Sequence, residues 1–308
     1  MKIVFLTTSS GETEKYAESL ACVNGSKVSL LRYDGPEVTD ETLYGAVRDL
    51  KPAMVVYIGT RWGPQPSILF LAKLNDKVAP TVHICSDAAD PPWHDLLADY
   101  HKAGAFALQV AIDGNPRWPL AETARGMTLL TPINASHFGE MRPHALRHHV
   151  CGYAGNAGAE GSVRRDILMH MMMRNLVRMR MREGGNETYA DMCEFMKQCR
   201  MTLNISYTGT QAAKHVKGRV LEAGLAGSCL LEVADTPTSA WFKPGVDYLP
   251  YNTVDELMQI VNRLAVEPEE TQAIGARLRT RVLTEHSPAV FWRKIMERVG
   301  VWEKSMSS

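Results

Sequence analysis

The stretch that decides the fold is 204-NISYTGTQAAKHVKGRVLEAGLAG-227, which runs from an apolar strand through a polar loop into a helix. The helix is expected at 219–226, because apolar residues recur there at helical spacing and Gly227 follows as the left-handed residue that commonly ends a helix. The next apolar run, 229–233, predicts another strand. Strand, helix and strand in this order predict an α/β domain with a parallel sheet.

The polar part of this stretch carries a cluster of charges. Lys214, Lys217 and Arg219 precede or enter the helix, whose first backbone amides are partially positive, and Glu222 follows on the same face as Arg219. Such a cluster suits a diphosphate with a diol beside it. The alternative is an exposed helix start with an ion pair between Arg219 and Glu222.

The same alternation of strands and helices extends in both directions from this stretch. Four prolines between Gly114 and His148 indicate a domain junction there, and Asp40 is expected to cap the second helix. The predicted strands are 3–7, 27–32, 54–58, 81–85, 106–112, 127–130, 149–154, 177–182, 201–205 and 229–233. The predicted helices are 12–22, 40–50, 67–74, 93–102, 162–173, 189–198 and 219–226, followed by an almost entirely helical segment from Thr253 in which Pro268 and Pro288 each begin a helix.

Length and composition limit the classes of function. A chain of 308 residues with 45% hydrophobic residues is expected to form two globular domains. The 34 basic and 34 acidic residues balance, so no overall field favours nucleic acid or an anionic membrane. No segment predicts a signal peptide or a membrane span, and the scattered cysteines suit reduced thiols in a cytoplasmic protein.

A glycine-spaced loop, 152-GYAGNAGAEG-161, joins a predicted strand to a predicted helix. Backbone amides of such a loop can receive a phosphate or approach a ligand closely, and Gly155 and Asn156 are candidates for that contact. The alternative is that the glycines only make a tight connection between strand and helix.

Several of these motifs together resemble a known family. They are the run 217-KGRVLEAGLAG-227 with the apolar strand after it, 241-WFKPGVDYLPY-251, 255-DEL-257, 277-RLRTRVLTEH-286, and upstream 149-HVCGYAGN-156 with the arginine pair at 164–165. The sequence from about residue 131 to residue 300 resembles the C-terminal half of group-one glycosyl transferases. It is most similar to the branch that includes spore-maturation-type proteins.

The resemblance implies the GT-B architecture, in which two Rossmann-like parallel-sheet domains face a cleft. Residues 1–135 would form the acceptor-side domain and residues 145–286 the domain that binds the nucleotide-sugar donor. Residues 287–308 would form a C-terminal helix that crosses back to the first domain. The donor is then a substrate, and no cofactor is expected.

The resemblance also implies roles for the charged cluster. In relatives that retain configuration, the second glutamate of an E-x7-E motif binds the donor ribose, and it corresponds to Glu222. The first glutamate corresponds to Lys214, where a cation that can hold phosphate replaces the acid that meets the transferred sugar. Lys217 and Arg219 would clamp the diphosphate as negative charge develops on the leaving nucleotide.

In the first half, ligands are expected beyond the carboxyl ends of the strands. Asp87 follows one such strand and is a candidate base for an acceptor hydroxyl, with a helix-capping role as the alternative. The chain contains no D-x-D motif, so no catalytic metal ion is expected.

The sequence therefore predicts a glycosyltransferase of the hexosyltransferase type that moves a sugar from a nucleotide-diphosphate sugar to an acceptor hydroxyl. The acceptor is not identified and can be a glycan, a protein or a small molecule. Two alternatives stay open: an epimerase or hydrolase of the same fold that acts on the nucleotide sugar, and a catalytically degenerate scaffold that binds it. Neither nucleic acid nor an integral membrane segment is expected.

Overall fold

The computed structural model describes residues 1–8, 12–21, 23, 26–59, 65–86, 88, 90–115, 118–121, 123–180, 188–208, 211 and 213–302. The chain divides into two compact units. Unit 1 comprises Met1–Pro132 and Pro288–Ser308, and unit 2 comprises Ile133–Ser287. Among the described helices, none has the length and apolar character needed to cross a membrane.

Each unit is built on one parallel sheet covered by helices. The strands are β1 (Lys2–Thr7), β2 (Lys27–Arg32), β3 (Met54–Ile58), β4 (Thr81–Cys85), β5 (Leu108–Ala111), β6 (Gly126–Thr128), β7 (His149–Ala154), β8 (Arg178–Arg180), β9 (Cys199–Asn204), β10 (Cys229–Val233) and β11 (Leu249–Tyr251). The helices are α1 (Glu12–Leu20), α2 (Asp40–Leu50), α3 (Ile68–Lys77), α4 (Pro91–Lys102), α5 (Val163–Met173), α6 (Tyr189–Lys197), α7 (Gly218–Ala226), α8 (Val254–Val266), α9 (Pro268–Glu285) and α10 (Pro288–Arg298).

The sheet of unit 1 has six strands in the order β2-β1-β3-β4-β5-β6, and every neighbouring pair runs parallel. All residues of β3 and β4 are buried, because helices cover both sides of their sheet. The predicted cap of α2 was wrong by one residue. Thr39, not Asp40, caps α2, because the Thr39 side chain accepts a hydrogen bond from the Thr42 amide.

The last helix, α10, belongs to unit 1 although it follows unit 2 in the chain. Phe291, Trp292 and Ile295 form its apolar face and are buried in the core that contains β1. The Trp292 ring meets Phe5 edge to face at 5.8 Å, and its indole Nε1 donates to Ser19 Oγ at 2.8 Å. The prediction that the C-terminal helix returns to the first domain is confirmed.

The sheet of unit 2 has five parallel strands in the order β11-β10-β9-β7-β8. The first strand of the unit, β7, therefore lies inside the sheet, with β8 on one side and β9 on the other. The direction in which strands are added reverses between β7 and β9. In open α/β sheets, ligands bind beyond the carboxyl ends of the strands at such a switch point.

Two glycines allow α7 to pack closely on α9. A Cβ at Gly224 would lie 2.8 Å from Val282 Cγ2, and a Cβ at Gly275 would lie 2.4 Å from the Gly227 carbonyl oxygen. Gly227 ends α7 with φ 64°, as the sequence predicted.

Unit 2 begins at Ile133, upstream of the predicted domain start at residue 145. Arg147 is buried, and its guanidinium donates to the carbonyl oxygens of Arg142, Cys199 and Ala226 at 2.7–2.9 Å. The bonds to Cys199 and Ala226 connect this segment to β9 and α7. The boundary between the units therefore lies inside the predicted junction, since its residues up to Pro132 belong to unit 1 and those from Ile133 onward belong to unit 2.

Candidate functional site

Arg219 joins the two strands at the switch point of unit 2. Its Nε donates to the carbonyl oxygen of Ala154, the last residue of β7, at 2.6 Å. Its Nη1 donates to Oδ1 of Asn204, the last residue of β9, at 2.9 Å. The guanidinium therefore lies at the carboxyl ends of both strands, where this sheet topology places ligands.

The glycine-spaced loop makes room for this guanidinium. Gly155 has φ 137°, and a Cβ at this position would lie 2.1 Å from Arg219 Nη2. The Tyr153 ring lies 4.4 Å from Arg219 Cζ, within cation–π range, and its hydroxyl donates to the Asn156 carbonyl at 2.7 Å. The structure thus brings Gly155 and Arg219 together, and their role in binding stays a prediction.

The buried carboxyl group of Glu232 is connected to Arg219 through Asn204. Glu232 on β10 is fully buried and accepts hydrogen bonds from Asn204 Nδ2 at 2.6 Å and from Ser206 Oγ at 2.7 Å. Burial raises the pKa of Glu232 to about 7, although its hydrogen bonds and the Arg219 charge oppose that rise. Sequence reasoning missed this network. The one acidic residue in the apolar run CLLEV was the available signal.

The start of α7 has a basic residue where many helices have a capping side chain. Lys217 stands at the N-cap position, and no side chain of the described residues caps the helix there. The His215 ring just before it is buried, which lowers its pKa to about 3, with further contributions from the nearby charges of Lys217 and Arg164. The positive charge at this helix start therefore comes from the side chains and from the helix amides, because His215 is neutral.

The start of α5, after the glycine-spaced loop, is capped instead. The Ser162 side chain accepts from the Arg165 amide at 3.2 Å, and Gln211 Oε1 accepts from the Val163 amide at 3.0 Å. The Asn156 side chain also turns into its own loop, where Oδ1 accepts from the Gly158 amide at 2.5 Å. Two of the first amides of α5 are thus bonded within the protein, which favours the connecting role of this loop.

Glu222 faces α6 rather than Arg219. Its Oε1 accepts a hydrogen bond from the Tyr189 hydroxyl at 2.9 Å, so the alternative of an ion pair with Arg219 is wrong. Burial, and next the Glu222 charge, raise the pKa of Tyr189, so its hydroxyl stays protonated as the donor. Oε2 of Glu222 makes no hydrogen bond to a described residue. Tyr189 thereby fixes one carboxylate oxygen of a half-exposed acid.

Lys214 lies at the end of a different strand. Its Nζ donates to the carbonyl oxygen of Ala234, directly after β10, at 2.9 Å and lies 5.6 Å from the centre of the Tyr207 ring. On either side of Lys214, the Ala213 carbonyl accepts from the Thr208 amide, and the His215 amide donates to the Ser206 carbonyl. Lys214 and Arg219 therefore lie at the ends of β10 and of β7 and β9, respectively.

The candidate base of the first half, Asp87, lies outside the described residues. The alternative, that Asp87 caps the next helix, is wrong, because the N-cap residue of α4 is Asp90. Among the described residues, no three His, Cys, Asp or Glu side chains converge as a metal site would require.

Comparison with known proteins assigns unit 2 to a family. A family model described as "Glycosyl transferase-like" matches residues 143–297, which is half of the chain and includes the whole cluster around Arg219. The chain belongs to this glycosyl transferase-like family. The spore-maturation-type branch is not distinguished by this match. No curated protein sequence matches the chain.

Solved structures show that the glycosyl transferase-like chain has the GT-B fold. HepE from Anabaena, in complex with UDP and glucose, is 14% identical with a TM-score of 0.67, over 97% of this chain and 99% of that chain. A glycosyltransferase from Rickettsia africae is 9% identical with a TM-score of 0.64, over 100% and 99%. Sucrose-phosphate synthase from Thermosynechococcus elongatus is 10% identical with a TM-score of 0.60, over 97% and 98%. The predicted fold of two Rossmann-like parallel-sheet domains is confirmed.

Proposed function

We propose that this protein transfers a hexose from a nucleoside diphosphate sugar to an acceptor hydroxyl. Arg219 carries the proposal, because its guanidinium lies at the carboxyl ends of β7 and β9, beside the uncapped start of α7. A cation and open helix amides at a switch point suit a diphosphate. Membership of the glycosyl transferase-like family supports transfer over simple nucleotide binding.

In this proposal, Lys217 and Arg219 hold the leaving diphosphate, and the amides at the start of α7 add to them. Negative charge grows on the phosphate oxygens as the bond to the sugar breaks, so fixed positive charges stabilise the transition state more than the bound donor. Lys214, at the end of β10, is a further cation for the same group. We expect turnover to persist in EDTA, since side chains supply the positive charge that holds the diphosphate. If EDTA abolished turnover and Mg²⁺ restored it, the proposal that no metal ion is needed would be wrong.

Glu222 is proposed to bind the donor ribose. Tyr189 holds its Oε1, and the carboxylate can accept hydrogen bonds from a vicinal diol. UDP-glucose is the first candidate donor, because the structural neighbour HepE is known in complex with it. The base on the acceptor side stays a prediction at Asp87, and cytoplasmic action stays a prediction as well.

The proposal is tested by incubating the purified protein with UDP-glucose, GDP-mannose, ADP-glucose and dTDP-glucose, with and without candidate acceptors. We expect one donor to stabilise the fold, by about 2.7 kcal/mol at one hundred times its dissociation constant. Release of the nucleoside diphosphate should then depend on an acceptor.

The other outcomes separate the alternatives. Stabilisation without turnover would favour a degenerate scaffold, for which the lysine at position 214 in place of a glutamate is the specific sequence observation. Conversion of the donor without any acceptor would favour an epimerase or a hydrolase. If no donor stabilised the protein, the proposed function would be wrong.

A further inference from the structure

Two hydrogen bonds in series connect the buried carboxyl group of Glu232 to Arg219. Asn204 Nδ2 donates to Glu232 Oε2 at 2.6 Å, and Asn204 Oδ1 accepts from Arg219 Nη1 at 2.9 Å. An amide has one donating and one accepting end, so the acid on one side and the guanidinium on the other both select the same orientation of Asn204. The acid therefore helps to fix where the guanidinium lies.

Glu232 is also held on its other sides. Ser206 Oγ donates to Oε1 at 2.7 Å, and Thr238 Oγ1 makes a longer contact of 3.4 Å to Oε2. Tyr248 and Tyr251, beside and on β11, are the other titratable groups that interact with it. The carboxyl group is completely buried, so its charge is poorly screened and is felt by its neighbours.

Glu232 is the group of this network that changes protonation near neutral pH. Its pKa is raised to about 7 by burial. Burial also raises the pKa of Tyr248 to about 12 and that of Tyr251 well above its ordinary value, and it lowers the pKa of His215 to about 3. These three groups therefore keep one protonation state between pH 6 and pH 9.

We propose that Glu232 is a positioning residue that holds Arg219 through Asn204 and takes up a proton from solvent when a diphosphate binds at Arg219. The inference rests on the proposed function, since it needs the donor at this site. The positive charge of Arg219 favours the ionised form of Glu232. A bound diphosphate offsets that charge and places negative charge nearby, so binding favours the protonated form. Proton uptake and donor binding then assist each other, by linkage.

The sign of the pH dependence follows from this linkage. Below the pKa of Glu232 the acid is already protonated, and binding moves no proton. As the pH rises through that pKa the free protein ionises, and donor affinity falls until the acid of the complex has ionised too. If binding raises the pKa by roughly one unit, affinity falls about tenfold in all, and about half a proton is taken up per donor near pH 7.5.

The test is titration calorimetry of the full chain in buffers of different ionisation enthalpy, at pH 5.5, 6.5 and 7.5, where the bases of the ligands do not titrate. The titrant is whichever of UDP-glucose, GDP-mannose, ADP-glucose and dTDP-glucose binds most tightly. Each is a diphosphate diester, so the ligand itself has no phosphate that titrates near neutral pH. We expect uptake of about half a proton at pH 7.5, about a fifth at pH 6.5 and almost none at pH 5.5.

Glu232→Gln keeps the size of the side chain and removes the titrating group. We expect no proton uptake in Glu232→Gln and an affinity that is flat between pH 6.5 and pH 8.5. Glu269→Gln makes the same chemical change at an exposed position in unit 2 and should behave like the wild type. If Glu232→Gln does not fold, 13C-carboxyl NMR of the wild type replaces it, and a glutamate resonance should titrate near pH 7 and move to higher pH with donor.

The outcomes separate this inference from the proposed function. Donor binding by the wild type without proton uptake, or equal uptake by Glu232→Gln, would overturn the role of Glu232 and leave the proposed function standing. A 13C-carboxyl titration that donor does not shift would overturn it too. Failure of all four donors to bind would overturn both.

Discussion

The helices α5 and α7 follow the two strands of the switch point, β7 and β9, but they begin differently. Before α5, glycines are spaced like those of a phosphate-binding loop, yet Ser162 and Gln211 side chains bond two of its first amides. Before α7 the described residues supply no capping side chain, and Lys217 and Arg219 stand at its start. The glycine spacing before α5 therefore indicates a close approach between parts of the chain. The cationic start of α7 is the better candidate for contact with the diphosphate.

A glycine of the loop before α5 leaves room for a side chain of α7. Arg219 reaches across from α7 and lies against Gly155, where any other residue would collide with its guanidinium. The two loops thus contribute differently to one site. Gly155 in the first loop leaves room for the guanidinium, and Lys217 and Arg219 at the start of α7 supply the positive charge. Four substitutions test this division, in order of decreasing expected effect.

Arg219→Ala should lower kcat/KM about 100-fold, the loss that follows removal of one preorganised donor to developing charge. Steady-state kinetics with the best donor measures the loss, and circular dichroism checks that the fold is kept. The control is Arg165→Ala, which removes an exposed arginine from the first turn of α5 and should change kcat/KM by less than about twofold. Normal turnover in Arg219→Ala would show that Arg219 does not hold the diphosphate.

Glu222→Ala should weaken nucleotide binding roughly 10- to 50-fold with the fold intact, because a carboxylate that accepts from a diol makes charge-assisted hydrogen bonds. The sharper measurement compares UDP with 2′-deoxy-UDP. Wild type should prefer UDP, and Glu222→Ala should bind the two equally. Tyr189→Phe keeps the carboxylate and should have a smaller effect. Unchanged affinity in Glu222→Ala would exclude the ribose role.

Lys217→Ser would make the start of α7 like that of α5. A serine at this N-cap position can accept from the first amides, so the free energy of unfolding should rise by about 0.5–1 kcal/mol. Donor affinity should fall about tenfold, since a cation is lost and the amides gain an internal partner. Lys217→Ala, measured by denaturation and calorimetry, separates the two effects because it removes the charge without adding a cap. Undiminished affinity in the serine variant would show that these amides do not meet the donor.

Ser162→Ala is the reciprocal change in α5. Loss of this cap should lower the free energy of unfolding by about 1 kcal/mol, as measured by urea denaturation. Donor affinity should stay within about twofold, because the amides of α5 are not expected to contact the diphosphate. A tenfold loss of affinity would mean that the glycine-spaced loop binds the donor as well.

Much of the fold could be predicted from sequence because its strands are buried on both faces. Runs such as MVVYI at β3 and TVHIC at β4 have helices between them, and that alternation specifies a parallel sheet. Element ends were less predictable. The residue that caps a helix is chosen by local hydrogen-bond geometry, so Thr39 rather than Asp40 caps α2.

Site residues could be predicted from the sequence only where charged residues cluster within one short segment. Arg219, Lys217 and Glu222 are charged residues around one helix start, and their spacing drew attention to them. Asn204, Glu232 and Tyr189 come from β9, β10 and α6, and only the packing of these elements brings them together. Residues that come together from distant segments have no fixed spacing in the sequence, so no motif reveals them.

The sequence by itself determined the alternating elements, the helix at 219–226 with its glycine end, and the cations around its start, because these depend on local periodicity and residue type. The tertiary structure decided which of two helix starts is capped, since the cap on α5 includes Gln211 from the loop before α7. It also decided that Arg219 bonds to Ala154 and Asn204 rather than to Glu222. A hydrogen bond needs two groups within about 3 Å, and only the folded chain fixes which groups those are.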